Sequence, residues 1–118
     1  MPKVMITDDS LFIRNKLAKT LGARGYETVM AKDGEQAVRV YREARPDAVL
    51  MDITMPGKNG LEALSEIMQF DPRARVVMLT ALDQKSVAVT AIVSGAKDFL
   101  AKPVRPEQLI ATLEKVLR

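Results

Sequence analysis

Asp47-Ala48-Val49-Leu50-Met51-Asp52 is an almost unbroken apolar run closed by a carboxylate, and Arg75-Val76-Val77-Met78-Leu79-Thr80 repeats the pattern with a hydroxyl at its end. A strand with one wet face alternates apolar and polar residues, whereas a strand covered on both faces does not. These runs therefore predict buried strands of a parallel sheet at about residues 47–52 and 75–80. Working outward, Lys3-Val4-Met5-Ile6-Thr7, the segment from Tyr26 to Ala31 and Lys97-Asp98-Phe99-Leu100-Ala101 predict further strands at about 3–7, 26–31 and 97–101. Helical patterns fill the intervals at about 10–23, 34–44, 60–69, 83–94 and 106–117. In the last of these, Leu109, Ile110, Leu113, Val116 and Leu117 recur at helical spacing behind Pro106, which suits a first turn.

The punctuation agrees. Gly22 and Gly25 close the first helix, Arg45-Pro46 and Asp71-Pro72 follow the second and third, and Gly95 follows the fourth. The expected fold is α/β, a doubly wound five-stranded parallel sheet with five helices, whose right-handed crossovers place a ligand site beyond the carboxyl ends of the strands. The 118 residues read as one domain over 1–118, with no internal repeat or linker.

Composition narrows the chemistry. Apolar residues make up 47% and charged residues 28%, an ordinary globular balance. No run approaches the ~18 apolar residues of a membrane span, and the start lacks a signal-peptide core, so no membrane insertion and a cytoplasmic location are expected. The chain has no cysteine and no histidine, which excludes disulfides, thiolate chemistry, His-ligated zinc and any histidine base. Its 18 basic and 15 acidic residues give a net charge of only +3 without a dense basic run, an argument against direct nucleic-acid binding.

What remains is carboxylates, hydroxyls, lysine and a hard metal. Asp8 and Asp9 follow the first strand and Asp52 ends the third. Each alone reads as a capping or turn residue, but in the expected sheet the three converge on one edge. Such a cluster repels itself unless protons or a cation compensate it, and Mg²⁺, or Mn²⁺ in its place, prefers oxygen ligands. Asp9 and Asp52 are read as direct ligands, the carbonyl of Thr54 as a third, and Asp8 as acting through water. Thr80 ends the fourth strand and Lys102 follows the fifth, where a hydroxyl and an ammonium can pair with a phosphoryl group, with Ala81 leaving the approach open. The parts suit phosphoryl transfer.

The motifs Asp8-Asp9, Asp52 with Ile53-Thr54-Met55-Pro56 and Gly60, Thr80-Ala81, Gly95-Ala96 and Lys102-Pro103 resemble, over the whole chain, the receiver domain of bacterial two-component response regulators, of the single-domain CheY-like kind. The resemblance implies the flavodoxin-like strand order 2-1-3-4-5. It implies that Asp52 is a nucleophile that takes a phosphoryl group from a phosphohistidine on a histidine kinase or phosphotransfer protein, or from a small phosphodonor, and later loses it to water. The chain would thus catalyse its own phosphorylation and dephosphorylation without being a conventional enzyme. It further implies a switch in which Thr80 is drawn toward the phosphoryl group and Phe99 rotates inward. The output surface would be the fourth helix, fifth strand and fifth helix, read by a downstream target protein such as a flagellar motor switch. A cis Lys102-Pro103 peptide is expected as well, against a base frequency of about 5–6% for X-Pro bonds.

Departures from the pattern mark what is open. Thr54 and Leu82 stand where the enteric chemotaxis member of the family carries Asn and Glu, at positions that tune dephosphorylation. Lys58 and Asn59 lie in a loop where receivers often carry Met and Asp, and Lys58 reads mainly as a solvated loop lysine. Arg14 reads either as a docking contact for a kinase or phosphotransfer helix or as a solvent-facing charge. Competing readings fare worse. A haloacid dehalogenase phosphatase needs an acid where Thr54 stands, and a flavodoxin needs a phosphate-cradling loop where Asp8 and Asp9 would repel FMN. A receiver excised from a larger DNA-binding or enzymatic regulator, or a relay intermediate outside chemotaxis, shares every motif above.

Overall fold

The computed structural model describes residues 1–118, the side chain of Leu82 apart. The elements in chain order are β1 (Lys3–Thr7), α1 (Leu11–Gly22), β2 (Glu27–Ala31), α2 (Gly34–Ala44), β3 (Ala48–Asp52), α3 (Gly60–Phe70), β4 (Val76–Thr80), α4 (Lys85–Val93), β5 (Asp98–Ala101) and α5 (Pro106–Val116). The strands form one five-stranded sheet in the order β2-β1-β3-β4-β5, and every neighbouring pair is parallel. The fold is therefore the expected doubly wound α/β sheet.

β3 and β4 are buried at every residue, which is why their sequences are continuous in apolar side chains rather than alternating. Strand pleating still sorts those side chains onto two cores. Met5, Val49, Met51, Val76 and Met78 face α2, α3 and α4, while Val4, Ile6, Leu50, Val77 and Leu79 face α1 and α5. Helix starts are fixed by local chemistry. Ser10, Asp33 and Asn59 cap α1, α2 and α3 through their side chains, Asn59 with Glu62 in a reciprocal capping box, and Pro106 opens α5.

α4 differs from the sequence expectation. A single 3₁₀ turn, Leu82–Gln84, precedes it, so the helix begins at Lys85 rather than near residue 83. It turns small residues, Ala88 and Ala91, toward the sheet and leaves Val89, Ile92 and Val93 exposed. No helix among the described residues is long and apolar enough to cross a membrane.

At the amino end of the sheet, α2 and α3 are tied together. Tyr41 donates its hydroxyl to Asp71 Oδ2 at 2.7 Å, and the guanidiniums of Arg42 and Arg45 lie 5.3 and 4.7 Å from the centre of the Phe70 ring. The Tyr41 hydroxyl, then the Arg73 backbone N–H, hold the Asp71 carboxyl below its ordinary pKa. Burial, then the hydrogen bond to Asp71, push the Tyr41 hydroxyl well up, so it remains a donor. A carboxyl depressed in the folded state adds stability that is present above its unfolded pKa and lost as pH falls through the folded value. Tyr41→Phe is therefore expected to cost about 1 kcal/mol at pH 7, with the gap from wild type closing below about pH 4, as urea unfolding across pH will report.

Candidate functional site

The parallel sheet carries the candidate residues to one edge. Thr7 pairs in register with Met51, Asp52 with Leu79 and Thr80 with Ala101, so the carboxyl ends of β1, β3, β4 and β5 lie side by side. Asp8, Asp9 and Asp52 meet there with carboxylate oxygens all within 4.8 Å of one another. Asp8 is 1% and Asp52 6% exposed, while Asp9 faces solvent.

Lys102 holds the two buried acids. Its Nζ donates to Asp8 Oδ2 at 2.9 Å and lies 3.2 Å from Asp52 Oδ1. The loop that carries it turns through a cis Lys102-Pro103 peptide, and the Lys102 N–H donates to the Thr80 carbonyl at 2.7 Å. Desolvation pulls the Lys102 pKa down, but the hydrogen bond to Asp8 and the charges of Asp52 and Asp8 outweigh it, so the ammonium is favoured. Asp52 shifts the other way for a carboxylate. Burial raises its pKa and Asp8 adds repulsion, only partly offset by Lys102 and by the Thr54 backbone N–H.

Two neighbours hold the acids in place. Asp8 Oδ1 accepts from the Ser10 N–H at 2.9 Å, and Arg14 reaches back from α1 to donate to the Asp8 carbonyl at 2.6 Å. Arg14 is thus a structural donor to the acid loop, a role that neither sequence reading gave it. Gly60 begins α3 directly against the end of β3, and a Cβ there would collide with the Asp52 carbonyl and the Ile53 backbone.

The remaining expected residues divide. Thr80 is buried at the end of β4. Strand alternation places it on the α4 face with Met78, and Phe99, half-buried on that same face, pairs in register with Met78. Thr54 is exposed and its hydroxyl accepts from Gln84 Nε2 at 2.6 Å. Lys58 is not a free loop cation. It forms an ion pair with Glu66 of α3, and its backbone packs closely against Gly34. Asn59 caps α3. The side chain of Leu82 lies outside the described residues.

Gln84 is the residue that the sequence reading missed. Its Oε1 accepts from the Ala81 N–H at 3.0 Å while its Nε2 reaches Thr54. The signal was present in Ala81-Leu82-Asp83-Gln84, where a Gln three residues after a helix-capping position folds back on that position's N–H.

Three clustered carboxylates at the carboxyl edge of a doubly wound sheet are a donor set that suits a hard cation. The family model "Response regulator receiver domain" matches residues 4–114. The chain is 43% identical over 115 residues to Chemotaxis protein CheY of Thermotoga maritima, covering 97% of this chain and 96% of that protein. A response regulator receiver domain protein from Clostridium thermocellum superposes with a TM-score of 0.95 at 27% identity, covering 99% of this chain and 94% of that one. A chain of the CheX-CheY-BeF3-Mg+2 complex from Borrelia burgdorferi superposes with a TM-score of 0.93 at 35% identity, covering 98% and 89%. The chain belongs to the response regulator receiver domain family.

Two outcomes follow from the geometry. A carboxyl whose pKa is raised by folding contributes stability below its unfolded pKa that is lost as pH rises through the folded value. In chelator-treated buffer, Asp52→Asn is therefore expected to unfold at higher urea than wild type at pH 7, with the difference vanishing as the pH falls below the carboxylate range. Gly60→Ala is expected to cost about 2 kcal/mol or more, because the backbone of β3 cannot yield as a side chain does, and thermal unfolding will measure it.

Proposed function

We propose that this receiver accepts a phosphoryl group on Asp52 in a Mg²⁺-dependent reaction and signals through a protein–protein surface. The observation that carries the reading is the buried Asp52 carboxylate, which shares the Lys102 ammonium with Asp8 at the carboxyl edge of the sheet.

In the reaction, an oxygen of Asp52 attacks phosphorus, the new O–P bond forms, and the P–N bond of the donor's phosphohistidine breaks with the electron pair leaving on imidazole nitrogen. Burial raises the Asp52 pKa and so its basicity as a nucleophile, and the nearby Lys102 ammonium acts in the opposite direction, favouring the carboxylate. Lys102 exchanges part of its contact with Asp52 for an oxygen of the transferred group, and Thr80 donates its hydroxyl to another, a reading supported by the 3.2 Å Lys102–Asp52 contact and by the position of Thr80 at the end of β4. Asp9 and Asp52, with the Thr54 carbonyl and, through water, Asp8, would hold Mg²⁺ or Mn²⁺. Three oxygen donors clustered without nitrogen or sulfur fit a hard divalent ion. When bound, that ion supplies neutralisation of the phosphoryl charge. Water attack on phosphorus then breaks the P–O bond to Asp52 and restores the carboxylate.

The chain has no histidine of its own, so the donor is a histidine kinase or phosphotransfer protein that carries the phosphohistidine, or a small phosphodonor. Leu11 and Phe12, 60% and 73% exposed just after the acid loop, offer such a donor an apolar contact. The output surface is α4, β5 and α5, where Val89, Ile92 and Val93 are uncovered and where Thr80 and Phe99 share the α4 face. Loading would bias an existing equilibrium of that face through Thr80 and Phe99. A chemotaxis role is supported by the name of the Thermotoga relative, Chemotaxis protein CheY, and a flagellar motor switch is the target proposed for it.

Incubation with acetyl phosphate followed by intact-mass measurement tests the reaction. One phosphoryl adduct is expected on wild type, dependent on Mg²⁺, and none on Asp52→Ala. An adduct that persists in Asp52→Ala, or that forms equally well with chelator, overturns the assignment.

A further inference from the structure

Gln84 makes three hydrogen bonds near the carboxyl ends of β3 and β4. Its backbone N–H donates to the Ala81 carbonyl at 3.0 Å, its Oε1 accepts from the Ala81 N–H at 3.0 Å, and its Nε2 donates to Thr54 Oγ1 at 2.6 Å. The first two bonds fix the 3₁₀ turn that delays α4. The third crosses from the loop after β4 to the loop after β3, 30 residues away in sequence. It spans the gap between the two strand ends at which Thr80 and Asp52 stand.

From this bridge we infer that Gln84 is a positioning residue that latches the two loops together and so restricts access to Asp52; the inference rests on the reading of Asp52 as phosphoacceptor. Water that hydrolyses an aspartyl phosphate must approach phosphorus opposite the Asp52 oxygen, from the solvent side of the strand ends. A carboxamide spanning that side limits the approach. Holding the Thr54 side chain also limits movement of the backbone next to Asp52. Both Thr54 and Gln84 are exposed or at the surface, so the bond between them competes with water and is easily broken. That suits a latch that a docking partner or a shift of α4 can open. A neutral amide does this without adding charge beside the acid cluster, which a carboxylate or ammonium at position 84 would disturb.

The test compares wild type, Gln84→Ala, Gln84→Asn, Thr54→Val and the double variant Thr54→Val/Gln84→Ala. Each is loaded with acetyl phosphate in Mg²⁺, freed of donor, and followed by intact mass for loss of the adduct. Gln84→Ala is expected to hydrolyse threefold or more faster than wild type. Thr54→Val, which removes the acceptor and keeps the backbone, should match it, and the double variant should be no faster than either single one. Gln84→Asn keeps the amide but is one methylene too short to span, so it should behave as Ala. Amide exchange at Ala81 gives an independent readout, with protection in wild type and Thr54→Val and faster exchange in Gln84→Ala. A hydrolysis rate within twofold of wild type in Gln84→Ala, or additive effects in the double variant, overturns the latch while leaving the phosphoacceptor reading intact. No adduct on wild type overturns the phosphoacceptor reading and the latch together.

Discussion

Two buried carboxylates share one ammonium at the carboxyl edge of the sheet, and the layout of the molecule follows from that constraint. Asp8 and Asp52 are each almost wholly removed from water, and Lys102 lies within 3.2 Å of both. With Asp9 beside them, the charges do not balance, since three carboxylates face one ammonium. Burial without balance is costly, and a protein that maintains it must hold the groups rigidly. The fold does so through backbone register. Neighbouring parallel strands fix where β1, β3 and β4 end, the Ser10 N–H and the Arg14 guanidinium hold the Asp8 loop, and α3 begins flush against β3 because Gly60 has no side chain.

This explains which parts were legible in the sequence. In a parallel sheet every strand's carboxyl end lies at one edge, so a residue's place at the end of an apolar run already places it at the edge where the three carboxylates meet. Asp8, Asp52, Thr80 and Lys102 could be read in this way because strand ends are marked by composition. Strand order could not be read so, because continuous apolar runs carry no partner information. It came instead from the family resemblance, and the sheet has that order. Residues whose roles depend on a long side chain finding a distant partner were not legible. Lys58 reaches Glu66, Arg14 reaches the Asp8 carbonyl and Gln84 reaches Thr54, and nothing in the local pattern names those partners. The α4 boundary belongs with them, since the side chain that caps the preceding turn also makes the tertiary contact.

The two sides of the sheet are committed to different degrees. α5 buries Leu109, Ile110 and Leu113, large side chains that anchor it, whereas α4 buries Ala88 and Ala91 and turns its larger apolar residues outward. Small buried side chains give up less apolar area, so α4 is held more weakly than α5. A weakly held helix on the face that carries Thr80 and Phe99 is the element on which a change at the proposed phosphoacceptor would act, because little packing energy opposes its displacement.

The distribution of local conflicts points the same way. At the amino end of the sheet, Tyr41, Asp71, Phe70, Arg42 and Arg45 satisfy one another by hydrogen bond and ring contact. At the carboxyl end lie the raised pKa of Asp52, the collision space beside Gly60, and Thr7, whose Oγ1 is the buried side-chain polar atom without a partner among the described residues. Thr7 immediately precedes the acid pair and its side chain falls on the α2–α4 face with Met5. At the carboxyl edge, burial of unbalanced carboxylate charge beside the unpartnered Thr7 hydroxyl costs stability, and the satisfied contacts of the opposite edge offset part of that cost.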